Sequence, residues 1–328
     1  MKLLFVADPL HSFKTYKDST FAMMREAARR GHELWACEPA DLVWQRGGLV
    51  TARGAQQLQL SAAALASAYG TDTPDWHTVT TRQDLALAGV DAVLMRKDPP
   101  FDSEFFYTTQ LLSQAEREGA RVFNKPSALR EHPEKLAILE FPQHITPTLV
   151  TRSAAAIRAF HAEHRDIILK PLDGMGGMGI FRVGADGMNL GAIIETLNKD
   201  GAQTVMVQRY LPEIAQGDKR ILLIGGEVVP FALARIPQGG EVRGNLAAGG
   251  KGVAMPLTER EREIAQHLAP ILAARGLLLV GLDVIGPCLT EINVTSPTCF
   301  QEIGAQAGFD VAALFVDALE KAVGAAQG

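Results

Sequence analysis

Between residues 3 and 124, short apolar runs alternate with helix-like segments, and this alternation restricts the first third of the chain to a layered α/β architecture. Leu3–Ala7, Glu33–Cys37, Asp91–Met95 and Arg121–Asn124 predict strands, while Ser19–Arg30 and Phe105–Glu118 predict helices. Asp18 or Ser19 can cap the first helix and Gly31 can end it. Strands separated by helices pair in parallel, and ligands of such sheets sit at the carboxyl ends of the strands. That rule singles out Lys17-Asp18-Ser19 at a helix start and Arg96 at a strand end. A helix N-terminus and an arginine fork both suit a carboxylate, so Lys17, Asp18, Ser19 and Arg96 are candidates for holding an organic substrate. Ordinary capping by Ser19 and a surface Arg96 would account for the same residues.

Composition removes several function classes. A chain of 328 residues with 47% apolar and 21% charged side chains has room for two or three globular sub-domains. The net charge of −5 comes from well-mixed acids and bases with no Lys/Arg-rich run, so the electrostatic footprint of a nucleic-acid binder is missing. The first apolar run ends at Asp8-Pro9, short of a secretory segment, and no later run approaches the roughly 20 residues needed to cross a bilayer. Neither nucleic acid nor membrane is expected as a partner. Cys37, Cys288 and Cys299 are odd in number and lack CxxC spacing, which argues against a disulfide framework or a zinc site and suits a reducing cytoplasm.

The character of the chain changes near Asn124-Lys125-Pro126, where a first boundary is expected. Further on, Gly174-Met175-Gly176-Gly177-Met178-Gly179 satisfies G-x-G-x-x-G, but a dinucleotide fingerprint needs a strand before it and a helix after it. Here Ile167–Lys170 precedes and Gly179–Val183 follows, so the loop joins two strands and reads as a nucleotide-covering hairpin. The backbone amides at Gly174, Gly176 and Gly177 can approach phosphate oxygens where side chains would clash, and Lys170 adds a cation. A mobile turn has the same composition; Lys170 weighs against it. No G-x-x-x-x-G-K-[ST] is present, which excludes the P-loop route to ATP.

The sharper signal is Asp283–Asn293. Gly286-Pro287 turns the chain between two apolar, alternating runs and sets Asp283 close to Glu291 across the strands. Period two then puts Glu291 and Asn293 on one face. Three hard oxygen donors suit Mg²⁺, and unpaired carboxylates in such apolar strands would be costly. Asp218 and Arg220 open a strand and Arg235 closes the next, so the two arginines could stabilise charge on a transferring phosphoryl group. Ile236–Gly252 carries six glycines and hardly any bulky apolar residue. It reads as a lid that excludes water, with a passive linker as the alternative.

Five ordered segments then resemble one family: MRKDPPFD around Lys97–Asp102, KPLDGMGG at Lys170–Gly177, GDKR at Gly217–Arg220, ARIPQGGEVRGNLAAGG at Ala234–Gly250 and GLDVIGPCLTEINVTSP at Gly281–Pro297. Together they are similar to the prokaryotic glutathione synthetases of the ATP-grasp superfamily, from Lys17 to Pro297, with Val43–Ala88 carrying least of the likeness. The resemblance implies mixed α/β and α+β structure, an ATP-grasp fold preceded by a Rossmann-like parallel-sheet domain. It implies a substrate domain over 1–125, a small lid domain over 126–203 and a metal-bearing domain over 204–328. Carried over by residue, Lys135 and Lys170 would contact ATP phosphates with Gly174, Gly176 and Gly177, while Gln208, Arg209, Tyr210 and Leu211 would form the hinge beside adenine. Asp218 would belong to the nucleotide site. Asp283, Glu291 and Asn293 would bind Mg²⁺ or Mn²⁺, with Arg220, Arg235 and Asn245 near the phosphoryl group. The implied reaction phosphorylates the cysteinyl carboxylate of γ-glutamylcysteine and lets the amine of glycine attack, in a cytoplasmic homo-oligomer, a tetramer. One departure stands out: Phe300-Gln301 occupies a place where an aliphatic residue and Arg are expected. The acceptor could also be β-alanine. Another ATP-grasp ligase, such as a D-alanine ligase, would share the phosphate and metal parts, and a nucleotide-binding regulator without turnover is the reading from a different class.

Overall fold

The computed structural model describes residues 1–241, 243–246 and 249–325, so Val242, Ala247 and Ala248 of the glycine-rich 237–252 segment lie outside the described residues. The first sheet is built from β1 (Lys2–Val6), β2 (Glu33–Cys37), β3 (Leu42–Val43), β4 (Thr51–Leu60), β5 (His77–Ala86), β6 (Ala92–Met95) and β7 (Val122–Phe123), in the order β3-β4-β2-β1-β6-β7 with β5 on β4. β1 pairs in parallel with β2 and β6, and β6 with β7. The alternation of side chains along β1 feeds two cores: Leu4 and Val6 enter one, Leu3 and Phe5 the other. On one side α1 (Ser19–Arg29) contributes Phe21, Met23 and Met24, and on the other α3 (Ser103–Arg117) contributes Phe105 and Leu112. The short helices α2 (Ala62–Ala66) and α4 (Pro126–Glu131) complete this part.

The parallel strands are extended by antiparallel pairing that strand–helix alternation does not predict. β4 runs antiparallel to β2, β3 and β5. Residues 78–84 of β5 are exposed, so this polar edge strand carries no apolar alternation to read.

A second, four-stranded antiparallel sheet has the order β10-β9-β11-β8, from β8 (Thr148–Thr151), β9 (Ile167–Pro171), β10 (Phe181–Val183) and β11 (Val205–Arg209). With α5 (Ala154–His164) and α6 (Leu190–Asn198) it encloses Ile157, Leu169, Val183, Ile194, Val205 and Val207. β11 begins just past the expected 203/204 division, yet it is hydrogen-bonded between β9 and β8 and sends Val205 and Val207 into this core. The small sheet therefore extends to Arg209.

The third sheet, antiparallel in the order β14-β13-β12-β15-β16, consists of β12 (Asp218–Ile224), β13 (Glu227–Ile236), β14 (Lys251–Pro256), β15 (Leu279–Ile285) and β16 (Cys288–Asn293). Ile221 and Leu223 of β12 meet Ile264 and Leu268 of α7 (Glu259–Ala274). Leu222 and Ile224 point the other way, toward Phe300 of α8 (Phe300–Ala307) and Phe315 and Leu319 of α9 (Val311–Ala325). Thr258 and Glu261 form a capping box that starts α7. The β15–β16 turn needs its glycine: Gly286 has φ 55°, and a Cβ there would lie 2.8 Å from Glu213 Cγ. Among the described residues, no helix is long and apolar enough to cross a membrane.

Candidate functional site

A cleft of about 550 Å³ opens between the N-terminal sheet, the β9–β10 loop and the third sheet. Every candidate residue named from the sequence lines it except Asp283. Asp283 stands behind the wall, 2% exposed, and lies opposite Glu291 because a β-bulge between Asp283 and Val284 shifts the β15–β16 register by one residue from that of the Gly286-Pro287 turn, where Ile285 pairs with Cys288 and Val284 with Leu289.

The antiparallel pairing of β12 with β15 and β13 explains why Asp283 is withdrawn. Arg220 Nε donates to Asp283 Oδ1 at 2.5 Å and Arg220 Nη2 to Oδ2 at 3.1 Å, while Arg235 Nη2 lies 2.9 Å from Oδ2. Arg235 also donates from Nε to the Asp218 carbonyl at 3.2 Å and from Nη2 to Asp218 Oδ2 at 2.5 Å. Burial alone would raise the Asp283 carboxyl, but the two guanidinium groups more than reverse this and hold it well below the usual carboxylate range. Each arginine thus spends Nε and Nη2 on carboxylate or carbonyl oxygens. Among the described residues Nη1 of each has no protein acceptor, and both side chains line the cleft. Among the described residues Asp218 Oδ1 is buried without a hydrogen-bond partner, and burial pushes this carboxyl upward against the pull of Arg235.

Glu291 and Asn293 project into the cleft from the same face of β16. Glu291 Oε1 lies 3.2 Å from Lys135 Nζ, which also donates to the Gly174 carbonyl at 2.5 Å. Asn293 Nδ2 donates to Gly281 O at 3.2 Å, which turns its amide oxygen away from that bond. A cleft-facing carboxylate and amide oxygen, with no sulfur or imidazole between them, fit a hard divalent cation. Among the described residues no group of three His, Cys, Asp or Glu side chains forms a metal-like cluster.

Lys170 leaves the end of β9 buried, its Nζ donating to Thr290 O at 3.2 Å. Burial pulls its ammonium down to about 8, with Glu291 opposing and Lys135 assisting. The adjoining loop is shaped by its glycines: Gly177 has φ 83°, and a Cβ there would lie 2.6 Å from Asn245 Oδ1. The loop and the glycine-rich segment therefore touch, and Arg243 Nη1 reaches Gly177 O at 3.4 Å. At the exit of β11, Gln208 Nε2 donates to Thr148 Oγ1 at 3.0 Å, and the Arg182 guanidinium stacks 3.7 Å from the Tyr210 ring centroid. Arg209 and Leu211 flank these residues on the cleft wall, near Ile168, Ile180 and Ile285.

At the other end, Arg96 is buried and donates from Nε to Thr20 Oγ1 at 3.1 Å and from Nη2 to Pro297 O at 3.2 Å. Among the described residues it makes no ion pair; Asp98 and Asp18 act on it only from a distance. Asp18 is the N-cap of α1, accepting from Phe21 N at 2.8 Å, and burial pushes its carboxyl up to about 6. Ser19 Oγ, which capping alone left ambiguous, accepts instead from Phe300 N at 3.2 Å. Lys17 completes this wall.

Sequence reasoning missed Glu134. Its Oε1 accepts from Val294 N at 2.9 Å, Thr295 N at 3.0 Å and Thr295 Oγ1 at 2.8 Å, tying the chain just after Asn293 to the residue before Lys135. Burial and then the charge of Glu291 push the Glu134 carboxyl up. Position next to Lys135 was its only local signal.

Comparison with known proteins assigns most of the chain. The model of the prokaryotic glutathione synthetase N-terminal domain matches residues 1–130, and that of the prokaryotic glutathione synthetase ATP-grasp domain matches 134–308. The glutathione synthetase of Ralstonia nicotianae is 60% identical over 328 residues, covering 100% of this chain and 98% of the relative. That of Neisseria meningitidis serogroup B is 59% identical over 319 residues, covering 97% and 98%. Among solved structures, a D-cycloserine synthetase aligns with a TM-score of 0.65 at 16% identity, covering 98% of this chain and 100% of that one. The ATP-grasp ligase PsnB, in a complex with a precursor variant, Mg and ADP, aligns at 0.60 with 20% identity, covering 98% and 97%. At such identities these two structures speak for the fold.

Proposed function

The chain belongs to the prokaryotic glutathione synthetase family and is an ATP-dependent ligase of glutathione synthesis, and on that premise we propose that it joins γ-glutamylcysteine to glycine through an acyl phosphate, with nucleotide and dipeptide at opposite ends of one cleft. The observation that carries the substrate end is Arg96, a buried guanidinium without an ion-pair partner among the described residues, facing a cavity beside the N-terminus of α1. Leaving such a cation unpaired is costly, and a substrate carboxylate supplies the missing charge.

In this reading Lys17, Asp18, Ser19 and Arg96 hold the dipeptide. Lys135 and Lys170, with the amides of Gly174, Gly176 and Gly177, take the ATP phosphates. Gln208, Arg209, Tyr210 and Leu211 flank adenine, and Asp218 belongs to the same site through Arg235. The family uses ATP with a divalent metal. We assign the metal as Mg²⁺, held by Glu291 and Asn293 with Asp283 behind them; when bound, it neutralises phosphate charge. The carboxylate oxygen of the dipeptide attacks the γ-phosphorus and ADP leaves. The free Nη1 donors of Arg220 and Arg235, with Asn245, stabilise the charge that builds on the phosphoryl oxygens. The amine of glycine then attacks the acyl carbon, and phosphate departs with the former carboxylate oxygen.

The division into 1–125, 126–203 and 204–328 is proposed with its second boundary moved past Arg209, which keeps the four-stranded sheet whole. The cytoplasm is proposed because Cys37, Cys288 and Cys299 are free thiols; the homo-tetramer rests on family resemblance.

An ADP-release assay tests the reaction. Turnover is expected only when γ-glutamylcysteine, an amine and Mg²⁺ are all present, with glutathione as the product mass. Turnover with D-alanine in the absence of γ-glutamylcysteine would overturn the assignment.

A further inference from the structure

Gln301 replaces a residue expected to be arginine, and its surroundings give it a defined task. It lies in the first turn of α8, 1% exposed, with its amide turned into the seam between that helix and the loop that leads into α1. Nε2 donates to Thr15 O at 2.8 Å and to Asp18 O at 3.3 Å, while Oε1 accepts from Gly70 N at 3.0 Å. Three segments far apart in sequence therefore meet at one amide. The same loop is held from its other side, because Thr15 Oγ1 donates to Asp72 Oδ1 at 3.0 Å and accepts from Thr73 N at 2.7 Å. Gly304 makes this docking possible: a Cβ there would lie 2.5 Å from the Tyr69 ring, so only glycine lets that ring lie against α8.

We propose that Gln301 is a positioning residue that sets the Thr15–Asp18 turn, and through it Lys17, Asp18 and Ser19, against the γ-glutamyl dipeptide; this rests on the reading of the substrate end given above. Among the described residues the buried amide is the one partner of Thr15 O and of Gly70 N, and it adds a second donor to Asp18 O, which also accepts from Ala22 N at 3.3 Å. Without it the turn moves to recover those hydrogen bonds, and the cleft wall that begins α1 moves with it. The nucleotide end shares none of these atoms, since Lys135, Lys170 and Gln208 bond to Gly174, Thr290 and Thr148. The segment Gly70–Thr73, within the stretch least like the family, thereby acts as a buttress for the substrate loop.

Steady-state kinetics of Gln301→Leu and Gln301→Glu test this, with melting temperature as the measure of folding. Gln301→Glu keeps an acceptor for Gly70 N but presents oxygen to two carbonyls, so it should fail in the same parameter as Gln301→Leu. The KM for γ-glutamylcysteine is expected to rise at least tenfold while the KM for ATP stays within twofold. Should either variant fail to fold, Thr15→Ala, which releases the turn from Asp72 and Thr73, is read in the same way. An unchanged dipeptide KM, a parallel rise in both KM values, or failure of all three variants to fold would overturn the proposal. Arg96→Ala separates the two layers. If it raises the dipeptide KM while the Gln301 variants do not, only the positioning role falls; if it leaves that KM unchanged, the substrate end itself has been misassigned.

Discussion

Arg220 on β12 grips Asp283 on β15 through two hydrogen bonds of 2.5 and 3.1 Å, and this pair, with Arg235 as a third member, is the buried electrostatic centre of the site. The carboxylate is spent on orienting two guanidinium groups whose remaining N–H donors face the cleft. Removing it leaves Arg220 buried without its counter-charge and Arg235 with Asp218 alone. Asp283→Asn should therefore lose about 3–5 kcal/mol of stability at neutral pH, measured by denaturant unfolding. The sign of its pH dependence follows from the depressed folded-state pKa. The contribution of Asp283 is complete above its ordinary value of 3.8 and is lost as pH falls below it. The gap between wild type and Asp283→Asn should shrink in acid; a gap that widened below pH 4 would mean that the carboxylate is not held by the arginines.

Glu291 has a different role from Asp283 although the two lie opposite each other in the hairpin. It faces the cleft and, among the described residues, touches only Lys135 within ion-pair distance. Glu291→Gln should melt near the wild-type temperature, lose much of its response to Mg²⁺ and turn over at least about 10²–10³ more slowly. Wild-type turnover at limiting Mg²⁺ would remove Glu291 from the metal site.

The contrast between these two acids shows what a sequence can disclose. The closeness of Asp283 to Glu291, and the shared face of Glu291 and Asn293, follow from a two-residue turn and the two-residue period of a strand, while their direct pairing needs the β-bulge beside Val284. Both are local. That Asp283 is consumed by Arg220, 63 positions away, is not. Glu134 was invisible for the same reason, since its partners Val294 and Thr295 lie 160 and 161 positions away. β5 escaped because a strand exposed along most of its length has no apolar face to alternate. The extent of the small sheet was misjudged because β11 looks alike whichever neighbour it joins. The departure at Phe300-Gln301 was legible as a departure, but only packing reveals Phe300 as fully buried core and Gln301 as a three-way joint.

On the proposed reading, Lys170 links nucleotide binding to protons. Its folded-state pKa is lowered to about 8 from an ordinary 10.5, so burial of the charge weakens the fold below pH 8, and the penalty is relieved as pH rises from 8 toward 10.5. Phosphate beside the ammonium reverses the shift. Binding of an ATP analogue at pH 8 should therefore take up roughly half a proton, read as a buffer-dependent heat in calorimetric titrations, and Lys170→Arg should abolish the uptake. Proton release by the wild-type protein, or equal uptake by Lys170→Arg, would show that Lys170 does not meet phosphate.

The central claim is that the dipeptide carboxylate is phosphorylated before the amine attacks, and oxygen tracing reads this directly. With γ-glutamylcysteine carrying ¹⁸O in its cysteinyl carboxylate, one labelled oxygen per turnover should appear in inorganic phosphate and one should remain in the new amide of glutathione. Unlabelled phosphate formed alongside glutathione would contradict the account.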